Sequence, residues 1–418
     1  MRVPVLAFIV LIASSGCATT STSAPTSPGM VSAADPRAAA AGVEILRAGG
    51  SAADAALATL VALTVVEPQS SGIGGGGFLV YEDGDGSPAS YDGRETAPMA
   101  ATGTWFFKGG QPMPVRDAIP GGKSVGVPGN IRLMALAHRD QSRLPWARLF
   151  EPAIRLARDG FAITPRLHRA LGRYRETGAL SLEARALFYG PGGDPLPVGT
   201  LVRNRALAAF LERLAALGPD SFYVGPNAQA IAAAVNGAPG NPSQMTAGDL
   251  ASYAAKPRPR VCGAYRGHRI CGMGPPSSGG TTVFAILKQL ERFDLASLGP
   301  ASPVSWHLFA ESTRVAFADR DQYLADGDFV AVPVAGLIDP GYLASRSALI
   351  AADRTLASVG AGTPPGAPKV TPGVEPVEAG TSHFVAVDRW GDVASLTSTI
   401  ESAFGSGLMV NGYYLNKS

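Results

Sequence analysis

Residues 381–400 read Thr381-Ser-His-Phe-Val-Ala-Val-Asp-Arg-Trp-Gly-Asp-Val-Ala-Ser-Leu-Thr-Ser-Thr-Ile400. Two apolar, β-branched runs flank the short link 389–391, which predicts a β-hairpin. A three-residue loop that ends in glycine is typical of a type I turn followed by a left-handed residue, and it pairs residue 388 with residue 392. Continued along both strands, this register places Thr381 opposite Thr399, with the two hydroxyl groups on one face of the hairpin.

Thr381 gains a chemical role if the chain is cut directly before it. A threonine hydroxyl is a weak nucleophile, but a threonine at a free chain terminus has its own α-amine as a base. The preceding residues 361–380 are rich in Gly and Pro, so we expect a flexible, exposed loop there. Threonine is also common at the start of a strand, and that ordinary explanation stays open on this pattern alone.

The chain upstream predicts a helical core element. Asp35 and Pro36 are suited to the cap and first turn of a helix. A second helix begins after Ser51, which forms a capping-box variant with Asp54, and it continues to Val66. This second helix is so apolar that we expect it to be buried on most sides.

Composition favours a folded protein without a nucleic-acid partner. The 418 residues include 35 Lys and Arg against 33 Asp and Glu, so the net charge of +2 gives no electrostatic reason for nucleic-acid binding. Hydrophobic residues make up 46% of the chain, enough for a large core and too many for general disorder. The histidines and cysteines show no metal-ligand spacing, so we expect no metal and no cofactor.

The first residues predict export. Arg2 precedes an apolar run over residues 3–13, which is too short to span a membrane but suits a signal peptide. We assign residues 1–17 to this signal and residues 18–30 to a solvated tether. Cys17 follows small residues, as at the acylated cysteine of a bacterial lipoprotein, and plain secretion with cleavage near Ala18 is the alternative. We expect a periplasmic protein, which contacts the membrane through a lipid anchor if Cys17 is acylated and has no membrane contact if it is secreted.

The other two cysteines predict a disulfide. Cys262 and Cys271 lie on two short strands around an Arg266-Gly267 turn, in a register that places them directly opposite each other. A non-hydrogen-bonded pair of this kind has the Cα separation that a disulfide needs. An oxidising compartment would allow the bond to form. Two half-buried free thiols are the alternative.

Motifs along the chain, in a constant order, resemble the γ-glutamyltranspeptidases, also called glutathione hydrolases. They cover the chain from about residue 30 to its end. The matching segments are Ala41-Gly-Val-Glu-Ile-Leu-Arg-Ala-Gly-Gly-Ser-Ala-Ala-Asp-Ala-Ala56, Val66-Glu-Pro-Gln-Ser-Ser-Gly-Ile-Gly-Gly-Gly-Gly-Phe78, Asp92-Gly-Arg-Glu-Thr-Ala-Pro98, Val125-Gly-Val-Pro-Gly129, Leu144-Pro-Trp146, Pro152-Ala-Ile-Arg-Leu-Ala157, Gly248-Asp-Leu250, Tyr265-Arg-Gly267, Met273-Gly-Pro-Pro-Ser-Ser-Gly-Gly280, Ala316-Phe-Ala-Asp-Arg320, Thr381-Ser-His-Phe384, Thr399-Ile-Glu401 and Phe404-Gly-Ser-Gly407.

The resemblance implies an α+β fold, the αββα sandwich of the N-terminal-nucleophile (Ntn) hydrolases. It also implies a proenzyme that cuts itself between Gly380 and Thr381 into a heterodimer. Residues 31–380 would then form the large subunit, and residues 381–418 would begin the small subunit.

The resemblance further implies roles for single residues. Thr381 matches the nucleophile that attacks the γ-glutamyl amide of a small-molecule substrate, and Thr399 matches the neighbour that orients it. Arg94 matches the arginine that binds the substrate α-carboxylate, a task suited to a bidentate guanidinium. Glu401 takes a position near the substrate amino group.

The sequence also departs from the family pattern, which continues well past the hairpin. That stretch supplies further strands, an acidic residue for the substrate amine, a Ser-Ser pair and a Gly-Gly oxyanion hole. We therefore expect a C-terminally truncated member, with its hairpin at an exposed sheet edge and its catalysis impaired. A non-catalytic remnant, a periplasmic lipoprotein that binds γ-glutamyl compounds or glutamate through Arg94, and an acylase of other amides are the alternatives.

Overall fold

The computed structural model describes residues 27–84, 88–369 and 380–417. The strands are β1 (Gly29–Ser32), β2 (Gly76–Glu82), β3 (Pro88–Gly93), β4 (Phe107–Lys108), β5 (Gln111–Pro112), β6 (Phe161–Ala162), β7 (Leu201–Val202), β8 (Lys256–Pro257), β9 (Arg260–Tyr265), β10 (His268–Met273), β11 (Thr381–Asp388), β12 (Val393–Thr399), β13 (Met409–Val410) and β14 (Tyr413–Tyr414).

Helices fill most of the chain between these strands. They are α1 (Pro36–Arg47), α2 (Ala52–Val66), α3 (Val115–Ala118), α4 (Asn130–Gln141), α5 (Glu151–Asp159), α6 (Pro165–Arg173), α7 (Arg175–Gly178), α8 (Leu182–Phe188), α9 (Arg205–Leu217), α10 (Asp220–Tyr223), α11 (Pro226–Asn236), α12 (Ala247–Ser252), α13 (Gly279–Leu290), α14 (Leu295–Leu298), α15 (Pro303–Tyr323), α16 (Val334–Leu337) and α17 (Pro340–Ser347), with 3₁₀ turns at Gly122–Ser124 and Trp146–Phe150. Within the described ranges, no helix is both long enough and apolar enough to cross a bilayer.

The β11–β12 hairpin lies inside the largest sheet. Six antiparallel strands form this sheet in the order β1-β11-β12-β2-β3-β8. The predicted register is confirmed, since Thr381 pairs with Thr399. The expectation of an exposed hairpin edge is wrong, because β1 pairs with the outer side of β11 and β2 pairs with β12. Strands β1 and β2 form hydrogen bonds with backbone N–H and C=O groups of the hairpin that would otherwise have no partner in the sheet.

Helices α1 and α2 cover one face of the sheet. Every residue of α2 is buried, and Ser51 and Asp54 form the complete capping box, as predicted. The sheet side chains that face α2 include Phe384 and Leu396, both essentially inaccessible to solvent. Burying an aromatic or leucine side chain contributes about 1.5–3 kcal/mol. The helix therefore fixes the hairpin from one side and leaves Thr381 and Thr399 on the other.

A second, smaller core is formed by buried residues of the segment 284–350. Buried residues of α13, α15 and α17 form it, including Phe284, Val315 and Leu343. Arg258 attaches this unit to the large sheet, because its guanidinium contacts Asp92 of β3 at 2.9 Å and Asp328. The α+β class is confirmed, but the described residues form one large sheet, and their other ladders have two strands each. They do not contain the second sheet of an αββα sandwich.

The prediction of a tether over residues 18–30 is wrong at its C-terminal end. Gly29 and Met30 belong to β1, where they pair with Asp388 and Val387. The pairing satisfies backbone groups on the outer edge of β11, which explains why these residues are ordered. The predicted signal peptide 1–17, including Cys17, and most of the tether lie outside the described residues.

The segment 361–369 has no helix or strand, as expected for a loop, but the prediction of flexibility is wrong at its start. The N–H of Gly362 donates to Asp319 at 2.8 Å, and its carbonyl accepts from Tyr323 at 2.7 Å. Asp319 is buried in an ion pair with Arg346 and uses this extra donor. Residues 370–379, the rest of the predicted loop, lie outside the described residues.

Candidate active site

The Thr399 hydroxyl links the two residues at the predicted cleavage site. Thr381 Oγ1 donates to Thr399 Oγ1 at 3.1 Å, and Thr399 Oγ1 donates to the carbonyl oxygen of Gly380 at 2.9 Å. The N–H of Glu401 donates to the same hydroxyl at 2.7 Å. One donated and two accepted bonds use the whole capacity of a hydroxyl group. Thr399 is therefore fixed in place and polarises the Gly380 carbonyl.

Backbone geometry requires glycine at two positions near Thr399. Gly380 has φ of +119°, in the region that residues with a side chain rarely adopt. Gly75 lies so close to β12 that an added Cβ would stand 1.9 Å from the carbonyl oxygen of Thr399. The glycine run before β2 thus lets the backbone approach the end of β12, where Thr399 projects.

Arg94 and Glu401 meet beside the threonines. Arg94 Nη2 contacts Glu401 Oε2 at 3.1 Å, and the Arg94 side chain is 30% exposed. Glu401 has φ of +80° and is largely buried. The N–H of Ile400 donates to Ser70 and that of Phe404 donates to Gln69, so the loop after α2 holds the segment that carries Glu401.

Glu95 is a third ionisable group that sequence reasoning missed. Its side chain has no solvent exposure, and Oε2 lies 3.5 Å from Nε of Arg94. Burial raises the pKa of the Glu95 carboxyl, while the charge of Arg94 acts in the opposite direction. The motif Asp92-Gly-Arg-Glu-Thr96 contained this residue, but nothing in the pattern distinguished it from a surface glutamate.

A cavity of about 870 Å³ opens over these residues. Thr381, Thr399 and Arg94 line it from the large sheet, together with Glu95. The facing wall consists of β10, the start of α13 and residues near the end of α15, where Arg320 lies. The wall belongs to the unit with the smaller core, so the cavity lies between the two cores.

His383 also faces this cavity. Its Nδ1 lies 2.8 Å from Thr397 Oγ1, and burial lowers the pKa of the imidazole. It lies two residues after Thr381 on the same face of β11, because side chains alternate along a strand. Sequence reasoning gave His383 no role, although its distance along the strand could have placed it beside Thr381.

The structure brings together Thr381, Thr399, Arg94 and Glu401, the four residues that sequence reasoning selected for chemistry. The disulfide between Cys262 and Cys271 is present, in the predicted register. Sequence reasoning did not predict where the disulfide lies in the fold. Cys271 is part of the wall of the same cavity.

Comparison with known proteins identifies the family. Residues 38–418 match the family described as gamma-glutamyltranspeptidase. The chain belongs to the γ-glutamyltranspeptidase family. A glutathione hydrolase proenzyme of Bacillus subtilis (strain 168) is 36% identical over 92% of this chain, which spans 66% of that relative. An acylase ACY 1 proenzyme of Pseudomonas sp. (strain SE83) is 38% identical over 93% of this chain and 70% of the acylase.

Solved structures of the family have the same fold. A γ-glutamyltranspeptidase from Helicobacter pylori superimposes with a TM-score of 0.76 and 35% identity, covering 80% of this chain and 95% of that chain. A cephalosporin acylase from Bacillus halodurans gives a TM-score of 0.79 with 28% identity, over 93% of this chain and 69% of that chain. The chain is thus similar both to proteins named as glutathione hydrolases or γ-glutamyltranspeptidases and to proteins named as acylases.

Proposed function

We propose that this protein hydrolyses or transfers γ-glutamyl groups through an acyl-enzyme on Thr381, after cutting its own chain between Gly380 and Thr381. The contact between the Thr399 hydroxyl and the Gly380 carbonyl carries this proposal. A donor on that oxygen stabilises the negative charge that develops there when a nucleophile attacks the carbonyl carbon.

The self-cleavage uses groups already in contact. Thr381 Oγ1 attacks the Gly380 carbonyl carbon, and its proton passes to the departing nitrogen of Thr381. The peptide bond becomes an ester, which water hydrolyses to leave a Gly380 carboxylate and a free Thr381 amine. This amine is the base that the Thr381 hydroxyl lacks in the uncut chain.

Substrate turnover follows the same chemistry. The Thr381 hydroxyl, deprotonated by its own α-amine, attacks the γ-carbonyl of a γ-glutamyl amide, and the amine leaves with the proton. Water or an acceptor amine then removes the γ-glutamyl group from Thr381. Arg94 binds the substrate α-carboxylate and Glu401 binds its ammonium, which supports a free amino acid end as the recognised group.

We further propose that the chain is processed as an Ntn hydrolase, with a heterodimer of large and small subunits as the product of cleavage. The relatives named as proenzymes support it. Export to the periplasm is proposed from residues 1–17 alone, with lipid anchoring at Cys17.

The test compares the wild type with Thr381→Ala on two chromogenic amides, a γ-glutamyl anilide and a glutaryl anilide, which keeps the free carboxyl group but lacks the α-amino group. We expect turnover of the γ-glutamyl compound by the wild type alone. The similarity to acylases supports a second candidate, hydrolysis of acyl amides, and faster turnover of the glutaryl compound would favour it. No turnover of either amide by a cleaved wild type would contradict both.

A further inference from the structure

The disulfide hairpin β9–β10 forms part of the wall opposite Thr381. Cys262 and Cys271 are direct cross-strand partners with a Cα separation of 4.1 Å. Cys271 lines the cavity, and β10 is in contact with β2 of the large sheet. Both cysteines are partly exposed. A disulfide therefore borders the space in which the proposed substrate binds.

Glycines on the hairpin show which face the disulfide occupies. A Cβ at Gly263 would lie 2.1 Å from the ring of Phe284, and a Cβ at Gly272 would lie 2.6 Å from Cα of Gly280. This face of the hairpin thus packs closely on α13. Since side chains alternate along a strand, the neighbouring cysteines project from the other face, toward the large sheet.

Two arginines share the face of the disulfide. Arg260 precedes Cys262 by two residues, and Arg269 precedes Cys271 by two residues. Both guanidinium groups ion-pair with one carboxylate, that of Glu82 on β2. Two positive charges and one negative charge give this three-residue cluster an excess positive charge, on the hairpin face that carries the disulfide. Such surroundings stabilise a thiolate and therefore favour thiol–disulfide exchange.

We propose that this disulfide is a thiol-exchange site for small thiols that enter the cavity, with Cys271 as the sulfur atom that is attacked. The identity of the thiol rests on the proposed function, because glutathione is a γ-glutamyl amide that also carries a thiol. Cys271 is the attacked partner because it is the cysteine that lines the cavity.

The exchange needs no oxidant or reductant other than the small thiol itself. The thiolate of the small molecule attacks Cys271 Sγ, the Cys262–Cys271 bond breaks, and Cys262 leaves as a thiolate that takes up a proton. The product is a mixed disulfide at Cys271. A second thiol of the same kind then attacks the small-molecule sulfur, which releases an oxidised dimer and leaves two protein thiols.

The first test uses the full chain with Cys17→Ser, so that two cysteines remain. The protein is incubated with millimolar reduced glutathione, quenched with N-ethylmaleimide, and analysed by intact mass and peptide mapping. We expect a species with glutathione on Cys271 and the maleimide on Cys262. A disulfide that stays closed while the urea-unfolded chain reacts would overturn the proposal, as would an adduct on Cys262.

The second test uses the two single variants Cys262→Ser and Cys271→Ser in the same background, each with one remaining thiol, treated with oxidised glutathione. We expect Cys271 to react about tenfold faster than Cys262, because it faces the cavity. Equal rates would contradict the assignment. The first test, on the Cys17→Ser chain with both other cysteines, keeps the proposal testable if either single variant fails to fold.

A competitor separates this inference from the proposed function. S-methylglutathione has the γ-glutamyl group but no free thiol, so it should slow the reaction of Cys271 by occupying the cavity. If Cys271 still reacts faster than Cys262 but S-methylglutathione does not slow its reaction, the thiol-exchange site is supported. The proposed γ-glutamyl binding is then contradicted.

Discussion

At the scale of single residues, Thr399 carries the strongest argument for chemistry. Its hydroxyl donates to the Gly380 carbonyl and accepts from Thr381, so one group contacts both the bond to be cut and the attacking atom. A threonine that only begins a strand does not require these contacts. They therefore favour a catalytic role for Thr381 over a purely structural one.

Thr399→Val should slow self-cleavage by about 10²–10³, the usual effect of losing one donor to a developing oxyanion. Thr399→Ser keeps the hydroxyl and should cleave at close to the wild-type rate. Gel electrophoresis over time measures both rates, and thermal unfolding checks that the valine variant is folded. Equal rates for valine and serine would show that the Gly380 contact has no role.

Arg94→Lys should raise KM for a γ-glutamyl amide with a smaller effect on kcat. Lysine keeps the charge but loses the planar pair of donors that binds a carboxylate at two points, and one charge-assisted bond contributes about 1.5–3 kcal/mol. The expected increase in KM is therefore about tenfold or more. Steady-state kinetics of the wild type and the variant measures KM and kcat. An unchanged KM would show that Arg94 does not bind the substrate.

Glu95→Gln tests the buried carboxyl beside Arg94. Burial raises the folded-state pKa of Glu95 above its unfolded value, so its contribution to stability is present at low pH and is lost as the pH rises through the folded pKa. Glutamine does not ionise. Denaturant unfolding between pH 5 and pH 8 should therefore show a larger loss of stability in the wild type than in the variant. Parallel pH profiles would mean that Arg94 offsets the effect of burial.

At the scale of secondary-structure elements, local patterns predicted much of what surrounds the site. The Arg389-Trp-Gly391 link set the register that brings Thr381 to Thr399, because a short loop determines which residues face each other. The Arg266-Gly267 turn did the same for the two cysteines. In both hairpins the paired residues are close in sequence, so the geometry of the turn is enough to predict which residues face each other.

Pairing between distant segments could not be predicted in this way. Thr399 pairs with Gly76, and Val387 pairs with Met30, across more than 300 residues of chain. No turn fixes these registers. They depend on which strands fit against α2 and on the close approach of Gly75 to β12, which are properties of the packed molecule.

Gly75→Ala should disturb the end of β12, because the new Cβ would clash with the carbonyl oxygen of Thr399. We expect a loss of stability of about 1–3 kcal/mol, typical of overpacking, together with slower self-cleavage. Gly103→Ala is the matched control, since a Cβ there meets no atom within 4 Å. Denaturant unfolding of both variants measures the difference, and equal stabilities would argue against the close approach.

At the scale of the whole molecule, the cavity joins two units with separate cores. The large sheet supplies Thr381 and Arg94, while the smaller unit supplies the wall with Cys271. The family motifs include residues on both sides of the cavity, but the sequence could not show that a cysteine hairpin faces Thr381. The ion pairs of Glu82 with Arg260 and Arg269 hold that hairpin against the sheet.

The intact mass of the full chain tests the central claim, that Thr381 is a nucleophile freed by self-cleavage. The wild type is purified and incubated beside Thr381→Ala, and both are analysed by mass spectrometry. We predict two wild-type fragments that divide between Gly380 and Thr381, and one uncut chain for the variant. A single uncut mass for the wild type, or the same cut in both proteins, would contradict the account.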